Sequence, residues 1–102
     1  MIAGFRAVVD PGGGRRRLVA LIDVRLGGPQ ETDRFEELIE GLDAIADVAH
    51  VTGRFDYQIR ATVLDPEDLD RLIRRLKTDG GVVATDTRIA LRTVLRRSGS
   101  VG

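Results

Sequence analysis

Two short segments of this sequence combine residue types that can bind a small polar molecule. Residues 51–57 read V-T-G-R-F-D-Y and place a glycine, two of the four aromatic residues and two opposite charges in one turn. Residues 83–88 read V-A-T-D-T-R and put two hydroxyls and a carboxylate within a strand-like stretch. Hydroxyls and backbone N–H groups can hold a carboxylate, and carboxylates can accept hydrogen bonds from an ammonium group. An ordinary hairpin turn followed by a half-exposed strand is the alternative, and the segments alone leave both interpretations open.

Residue types for catalysis or metal binding are sparse. The chain has no Cys, Trp or Asn, and it contains no G-x-S-x-G, P-loop or G-x-G-x-x-G motif. Its one histidine, His50, falls within a predicted strand, where a structural role is the simpler interpretation. The run Asp65, Glu67, Asp68 and Asp70 is explained by capping and by the dipole of a helix N-terminus. We therefore predict no catalytic residue, no metal site and no cofactor.

The charge balance argues against several classes of partner. The 16 Lys and Arg residues match 16 Asp and Glu residues, so the formal net charge is zero, whereas a nucleic-acid-binding domain is usually basic. The basic clusters at 15–17 and 96–97 fall in a predicted turn and a predicted tail. The sequence shows neither an apolar window long enough to span a membrane nor an apolar start typical of a secretory signal. We expect a cytoplasmic protein that contacts neither nucleic acid nor membrane.

Glycine and proline mark the boundaries of the elements that must position the polar segments. The first half of the chain is predicted to form a strand at 2–9, a Gly-rich loop at 11–14, a strand at 18–26 and a helix capped by Thr32. Two strands follow at 46–52 and 56–63, joined by a turn at Gly53-Arg54. The chain then continues with a helix from Pro66, with Asp65 as its N-cap, and a strand from Val82 to about Leu95.

An internal repeat indicates how these elements are arranged. The apolar stripe of the second helix lies 34 residues after that of the first (69 − 35 = 34), at the spacing of one helical face. The two stripes are Phe35, Leu38, Ile39 and Leu42, and Leu69, Leu72, Ile73 and Leu76. Two copies of a strand–helix–strand unit predict a ferredoxin-like β-α-β-β-α-β fold of the α+β class, with two helices on one face of an antiparallel sheet. The strand at 2–9 is an addition to this plan.

The face of the sheet opposite the helices carries apolar residues whichever parity is chosen. Val19 and Leu21 alternate with core positions of the second strand, and the third and last strands each leave two possible sets. These sets are Ala49 and Val51 or Ala46 and Val48, and Val82, Ala84, Ala90 and Val94 or Val83, Ile89 and Leu91. A soluble monomer seldom exposes a large apolar patch. We therefore predict a homodimer packed sheet to sheet about a two-fold axis.

Three segments match, in order, the motifs of one protein family. Residues 2–11 (I-A-G-F-R-A-V-V-D-P) follow the form I-x-G-[YF]-x-A-x-x-D-P, residues 51–57 follow V-T-G-x-[YF]-D-Y, and residues 81–91 (G-V-V-A-T-D-T-R-I-A-L) follow G-V-x-x-[TS]-x-T-x-I-x-L. Over residues 2–97 the chain resembles the C-terminal effector-binding RAM domain of the Lrp/AsnC, or feast/famine, transcriptional regulators.

The resemblance implies a single effector-binding and oligomerisation domain at 1–97, opening on a linker strand at 1–10 and followed by a tail at 98–102. It also implies a dimeric α+β barrel that binds an amino acid where dimers meet, in assemblies from tetramer to octamer. Family members use the hairpin turn and the last strand for this purpose. The implied effector-binding residues are Thr52, Gly53, Arg54, Phe55, Asp56, Tyr57, Thr85, Asp86 and Thr87.

The chemistry of an amino acid suggests which of these residues would bind its carboxylate, its ammonium group and its side chain. Backbone amides near Gly53 and the hydroxyls of the two threonines would hold the carboxylate, while Asp56 or Asp86 would accept hydrogen bonds from the ammonium group. The two aromatic residues of the turn would shape the side-chain pocket.

Members of the family usually begin with a helix-turn-helix domain ahead of the linker strand, and this sequence shows no such segment. We therefore expect a non-enzymatic module that does not contact DNA itself, either as a stand-alone protein or as a trimmed regulator. One alternative is a cofactor-independent dimeric α+β barrel enzyme, similar to small monooxygenases, with His50 and Tyr57 as its polar groups. Another is an interaction partner that forms mixed oligomers with full-length regulators.

Overall fold

The computed structural model describes residues 8–9 and 16–95. The elements, in chain order, are β1 Val8–Val9, β2 Arg16–Leu26, α1 Thr32–Glu40, β3 Ile45–His50, β4 Tyr57–Val63, α2 Pro66–Asp79 and β5 Val82–Ala90. Most of the predicted strand at 2–9, the loop at 11–14, the cluster at 96–97 and the tail at 98–102 lie outside the described residues. Within the described part of the chain, no helix is long and apolar enough to cross a membrane.

The sheet confirms the predicted ferredoxin-like topology. β2 pairs antiparallel with both β4 and β5, and β3 pairs antiparallel with β4, so the four core strands lie in the order β3-β4-β2-β5. β1 is the added strand, and it pairs with the start of β2, where Val8 lies opposite Arg17. Residues from both helices pack against one core on one face of this sheet.

β4 shows most clearly which face of the sheet is covered. Its residues alternate between buried and half-buried along the whole strand, as expected when one face packs against helices. The buried set continues into the neighbouring strand and both helices. The core consists of Ala20, Ile22, Val24, Leu26, Phe35, Tyr57, Ile59, Ala61, Val63, Leu72, Leu76 and Val82.

The start of α2 confirms the predicted cap. Asp65 is the N-cap, its carboxylate accepts a hydrogen bond from the Asp68 backbone N–H at 2.8 Å, and Pro66 occupies the first turn. Asp68 in turn accepts from the backbone N–H of Leu64 at 2.9 Å. Two backbone donors at the helix entry are therefore satisfied by side chains four residues or fewer away.

The end of α2 is held by an arginine from the other helix. Arg34 of α1 donates from Nε to the Asp79 carbonyl at 2.9 Å and from Nη2 to the Thr78 carbonyl at 3.2 Å. Its Nη1 forms an ion pair with Glu31 at 3.0 Å. A cation at these unpaired carbonyls also offsets the negative end of the helix dipole, so Arg34 joins the start of α1 to the end of α2.

The start of α1 differs from the prediction. Thr32 is the first helical residue rather than the N-cap, and the N-cap position is taken by Glu31, which makes no side-chain capping bond. Pro29 starts a 3-10 turn over Pro29–Glu31, and the Thr32 N–H donates to the Pro29 carbonyl. Because proline fixes φ near a helical value, the chain is already turning before Thr32 and has no extended residue for a cap there.

Two strands end earlier than predicted. β3 ends at His50 because the Val51 N–H closes the hairpin turn by donating to the Asp56 carbonyl at 3.0 Å. β5 ends at Ala90, the last residue with a partner on β2. The residues that follow leave Leu91, Val94 and Leu95 exposed.

Irregularities in β3 and β5 decide which apolar residues reach the core. The register of β3 shifts between Ile45 and Asp47, so Ile45 and Val48 both pack against the core. In β5 the register shifts near its start, so Val82 is buried opposite Leu26 while Val83 is 59% exposed.

The open face of the sheet is less apolar than predicted. Val19 and Leu21 lie on it and are half-buried, and β3 and β5 add mainly alanines, together with the exposed Val83 beside the register shift in β5. Asp23 accepts hydrogen bonds there from Gln58 at 3.1 Å and from Arg88 at 3.2 Å. Further charged residues on this face include Arg25, Asp47, Arg60 and Asp86. A narrow apolar strip bordered by charge therefore replaces the broad patch that the alternation predicted.

Candidate functional site

The turn between β3 and β4 requires a glycine and leaves open space beside it. Gly53 has φ +109°, a conformation that residues with a side chain rarely adopt. A Cβ built at Gly53 would meet no atom within 4 Å. The requirement is therefore conformational rather than steric, and the backbone of the turn is accessible to a small molecule.

Asp56 anchors this turn to the centre of the sheet. Its backbone N–H donates to the Val24 carbonyl at 2.8 Å, and its Oδ2 accepts from the Leu26 N–H at 2.8 Å. Both contacts extend the pairing of β2 beyond the last ladder pair, Val24 with Tyr57. Asp56 is thus held in place by β2, and its second carboxylate oxygen is the one left to accept from a ligand.

Tyr57 is buried among aromatic and acidic side chains. Its ring lies 4.7 Å from that of Phe35 and 4.7 Å from that of His50, on which it stacks at 16°. Its hydroxyl donates to Glu36 Oε2 at 2.6 Å. Burial, together with the hydrogen bond and the charge of Glu36, raises the pKa of Tyr57 to about 12. The hydroxyl therefore stays protonated at neutral pH and is poorly suited to act as a base.

The other predicted residues of the turn lie at its surface. Thr52 and Arg54 are exposed, and Phe55 is half-buried. The Arg54 guanidinium carbon lies 6.0 Å from the centroid of the Phe55 ring, at the outer limit of a cation–π contact. These side chains form the outer wall of the turn.

Register separates the three polar residues of β5. Thr85 and Thr87 lie opposite the buried Val24 and Ile22, on the side of the sheet that faces the helices. Asp86, between them, lies on the open face. Asp86 therefore shares no surface with the two threonines of its own chain.

The structure brings the turn and Thr85 to the same end of the sheet without putting them in contact. His50, Tyr57, Val24 and Thr85 form one row across the four strands. Thr85 and Tyr57 are two strand spacings apart, about 10 Å, with the buried Val24 between them. One chain therefore supplies separate parts of the predicted site.

A cavity of about 320 Å³ lies beside Tyr57, near the edge strand β3. It is lined by Glu36, Ile39, Glu40, Val48, His50 and Tyr57. It brings together His50 and Tyr57, the two polar residues that the enzyme alternative requires. Within the described residues, no group of three His, Asp or Glu side chains is placed to hold a metal ion.

Sequence reasoning missed the partners of two polar contacts. Glu36 follows the core residue Phe35 on α1, and its bond to Tyr57 crosses from helix to sheet. Asp23, on β2, accepts hydrogen bonds from Gln58 and Arg88 on the two neighbouring strands. The helical spacing of apolar residues does not indicate the bond between Glu36 and Tyr57. A carboxylate at Asp23, within an otherwise apolar strand, does indicate that polar partners lie on the neighbouring strands.

Comparison with known proteins identifies sequences that are similar to this chain. The model of the Lrp/AsnC ligand binding domain matches residues 18–100. An uncharacterized HTH-type transcriptional regulator of Pyrococcus furiosus is 34% identical over 82 residues, which cover 78% of this chain and 52% of that protein. One from Pyrococcus horikoshii is 37% identical over 79 residues, covering 76% of this chain and 51% of that protein. The chain thus spans about half the length of the curated relatives it matches.

Solved structures of low sequence identity share the fold. The transcriptional regulator NMB0573 of Neisseria meningitidis, solved as a complex with L-Met, superposes with a TM-score of 0.79 at 17% identity, covering 98% of this chain and 66% of that one. AsnC of E. coli superposes with a TM-score of 0.76 at 22% identity, covering 95% and 66%. Since the family model covers most of the chain and two relatives exceed 30% identity, this chain belongs to the Lrp/AsnC family through its ligand-binding domain.

Proposed function

We propose that this chain is a regulatory module that binds a free amino acid and self-associates. The observation that carries the proposal is the turn at 51–57, where a glycine at positive φ lies in open space next to the firmly held Asp56. Membership of a ligand-binding domain family supports a binding role. A structural neighbour solved with L-Met supports an amino acid as the ligand.

The polar groups fit the two ends of an amino acid. The free oxygen of Asp56 would accept from the ammonium group, and backbone amides of the turn would donate to the carboxylate. Phe55 and Tyr57 would contact the ligand side chain, and Thr52 and Arg54 would line the outer wall. In this proposal Thr85, Asp86 and Thr87 act from neighbouring copies, because within one chain they lie apart from the turn. The two threonines and Asp86 lie on opposite faces of β5, so they would come from different copies.

Self-association is proposed to begin on the open face of the sheet. Val19 and Leu21 offer an apolar strip, and the register places Asp86, Asp23 and Gln58 in one row and Arg88, Leu21 and Arg60 in the next. In a two-fold arrangement an acidic row of one copy can face a basic row of the other. The proposed unit is a homodimer that assembles further, up to tetramers or octamers, and the same face would admit full-length regulators of the family.

A regulatory role is proposed in preference to catalysis. The cavity beside Tyr57 does contain the two residues that the enzyme alternative names, but the raised pKa of Tyr57 removes it as a base at neutral pH. Turnover of any substrate that is lost in His50→Ala while the fold is retained would support the enzyme alternative against this proposal.

Ligand binding is tested by titrating each standard amino acid at millimolar concentration while recording the melting temperature. We expect at least one to raise the melting temperature of the wild type. Asp56→Asn should abolish that rise, since an amide keeps an acceptor for the Leu26 N–H but loses the charge that attracts the ammonium group. Asp43→Asn, an exposed change in the loop before β3, is the matched control. If no amino acid shifts the wild type, or if both variants respond alike, the proposal is wrong.

Self-association is tested by light scattering with and without the amino acid that binds. We expect a mass of at least two subunits at micromolar concentration and a lower mass for Leu21→Lys. Glu37→Lys, at an exposed position on α1 and so on the helix side of the sheet, should keep the wild-type mass. A single-subunit wild type would contradict the proposed dimer.

A further inference from the structure

A second cavity, of about 540 Å³, runs along α2 beside the loop that joins α1 to β3. It exists because α1 ends at Glu40, so a loop rather than a helix lies next to this part of α2. The loop contributes Leu42 and the small Ala44, and Val63 and Leu72 complete an apolar floor. The volume lies within the range of pockets that hold small organic molecules.

Three arginines line the wall of this cavity. Arg71, Arg74 and Arg75 follow the spacing of one helical face. Each pairs with an aspartate of its own helix, and each does so through a single nitrogen. A guanidinium has five N–H donors, so each arginine keeps donors for a ligand. These pairs are exposed and contribute little to stability, so exchanging a partner costs little.

The charge and the floor together define the ligand. The two acidic residues of the lining, Asp68 and Asp79, are outnumbered by the three arginines. Asp68 is also occupied by the Leu64 N–H. With Asp70, the partner of Arg74 outside the lining, each arginine has one aspartate as its partner. A ligand with a single negative charge can replace one of these carboxylates, whereas a multiply charged anion would be repelled by the others. The apolar floor requires that this charge be attached to a chain or ring.

We propose that this cavity binds an organic acid, a carboxylate attached to an apolar chain or ring. The apolar part lies on Leu42, Val63 and Leu72, and the carboxylate meets Arg71 and Arg74. Val63 is six residues along β4 from Tyr57, about 20 Å away. The site is therefore separate from the turn at 51–57 and does not depend on amino acid binding there.

The test is a titration with octanoate followed by the backbone amide signals in nuclear magnetic resonance spectra. We expect saturable shifts at Ala44 and Leu72 and unchanged signals at Gly53. Acetate has the same head group without the chain, and octylamine has the same chain with the opposite charge, so both should shift these signals far less. Equal shifts with octylamine, or none with octanoate at millimolar concentration, would overturn the proposal.

Two variants locate the contacts, and one serves as control. Arg71→Gln combined with Arg74→Gln should weaken octanoate binding by roughly fivefold or more, the scale of exposed charge-assisted contacts. Ala44→Phe should block binding by filling the floor. Arg92→Gln, beyond β5, should leave the affinity unchanged. An affinity unaffected by the double substitution would refute the role of the arginines whether or not the Phe variant folds.

Discussion

Alkaline pH offers a direct test of the buried contact between Tyr57 and Glu36. The chain has one tyrosine, one lysine (Lys77) and no cysteine. Few other side chains therefore change charge between about pH 9 and pH 12. The stability of the folded state in this range reports chiefly on Tyr57.

The expected change has a definite sign. The pKa of Tyr57 is about 12 in the folded state and about 10 in an unfolded chain. The folded state thus holds the proton more tightly, so the stabilisation is complete below about pH 10 and is lost as the pH rises towards 12. This difference in the pKa of Tyr57 corresponds to a loss on the order of 2–3 kcal/mol in the free energy of unfolding.

The comparison is between the wild type and Tyr57→Phe, by urea denaturation at a series of pH values. At pH 8 the variant should be less stable by about 1 kcal/mol, because it lacks the hydroxyl that donates to Glu36. Near pH 12 the order should reverse, with the variant the more stable by about 1–2 kcal/mol, because the wild type has then lost about 2–3 kcal/mol through ionisation of Tyr57 and the variant has no group to ionise there. Ultraviolet absorbance of the native protein should show the tyrosinate forming well above pH 10. Ionisation near pH 10 in the folded state, or parallel loss of stability in both proteins, would refute the reasoning.

Three further changes test the local contacts by urea denaturation. Gly53→Ala should destabilise by about 1–2 kcal/mol through backbone strain alone, and an unchanged stability would contradict the positive φ. Asp65→Ala should cost about 1 kcal/mol by removing the cap of α2, whereas Glu67→Ala in the same turn should cost less than about 0.5 kcal/mol. Arg34→Ala should cost about 1 kcal/mol by freeing two carbonyls at the end of α2, and a cost no larger than for Arg71→Ala would argue against that cap.

The helices and central strands were predictable because their signals are local. Asp65 and Pro66 indicate the start of α2, and the alternation of residue types from Tyr57 to Val63 predicts that one face of β4 is buried. The prediction that Thr32 is the N-cap of α1 was wrong because residue type alone does not show that Pro29 has already begun a 3-10 turn.

The open face was harder to predict because it depends on register. A bulge between Ile45 and Asp47 changes which residues of β3 face the helices, and no residue in that stretch signals it. The apolar strip was overestimated for this reason. The proposed site was harder to predict for a different reason, because Asp86 and Thr85 lie on opposite faces of the sheet and the proposal needs other copies to bring them to the turn.

The bulge in β3 also affects how the sheet can grow. β3 lies at one edge of the core sheet, where unpaired backbone groups could otherwise template the addition of another strand. An irregular edge that carries an outward charge at Asp47 is a poor template. This border of the protein is thereby protected against the addition of further strands from other molecules, which is the first step of strand-by-strand aggregation.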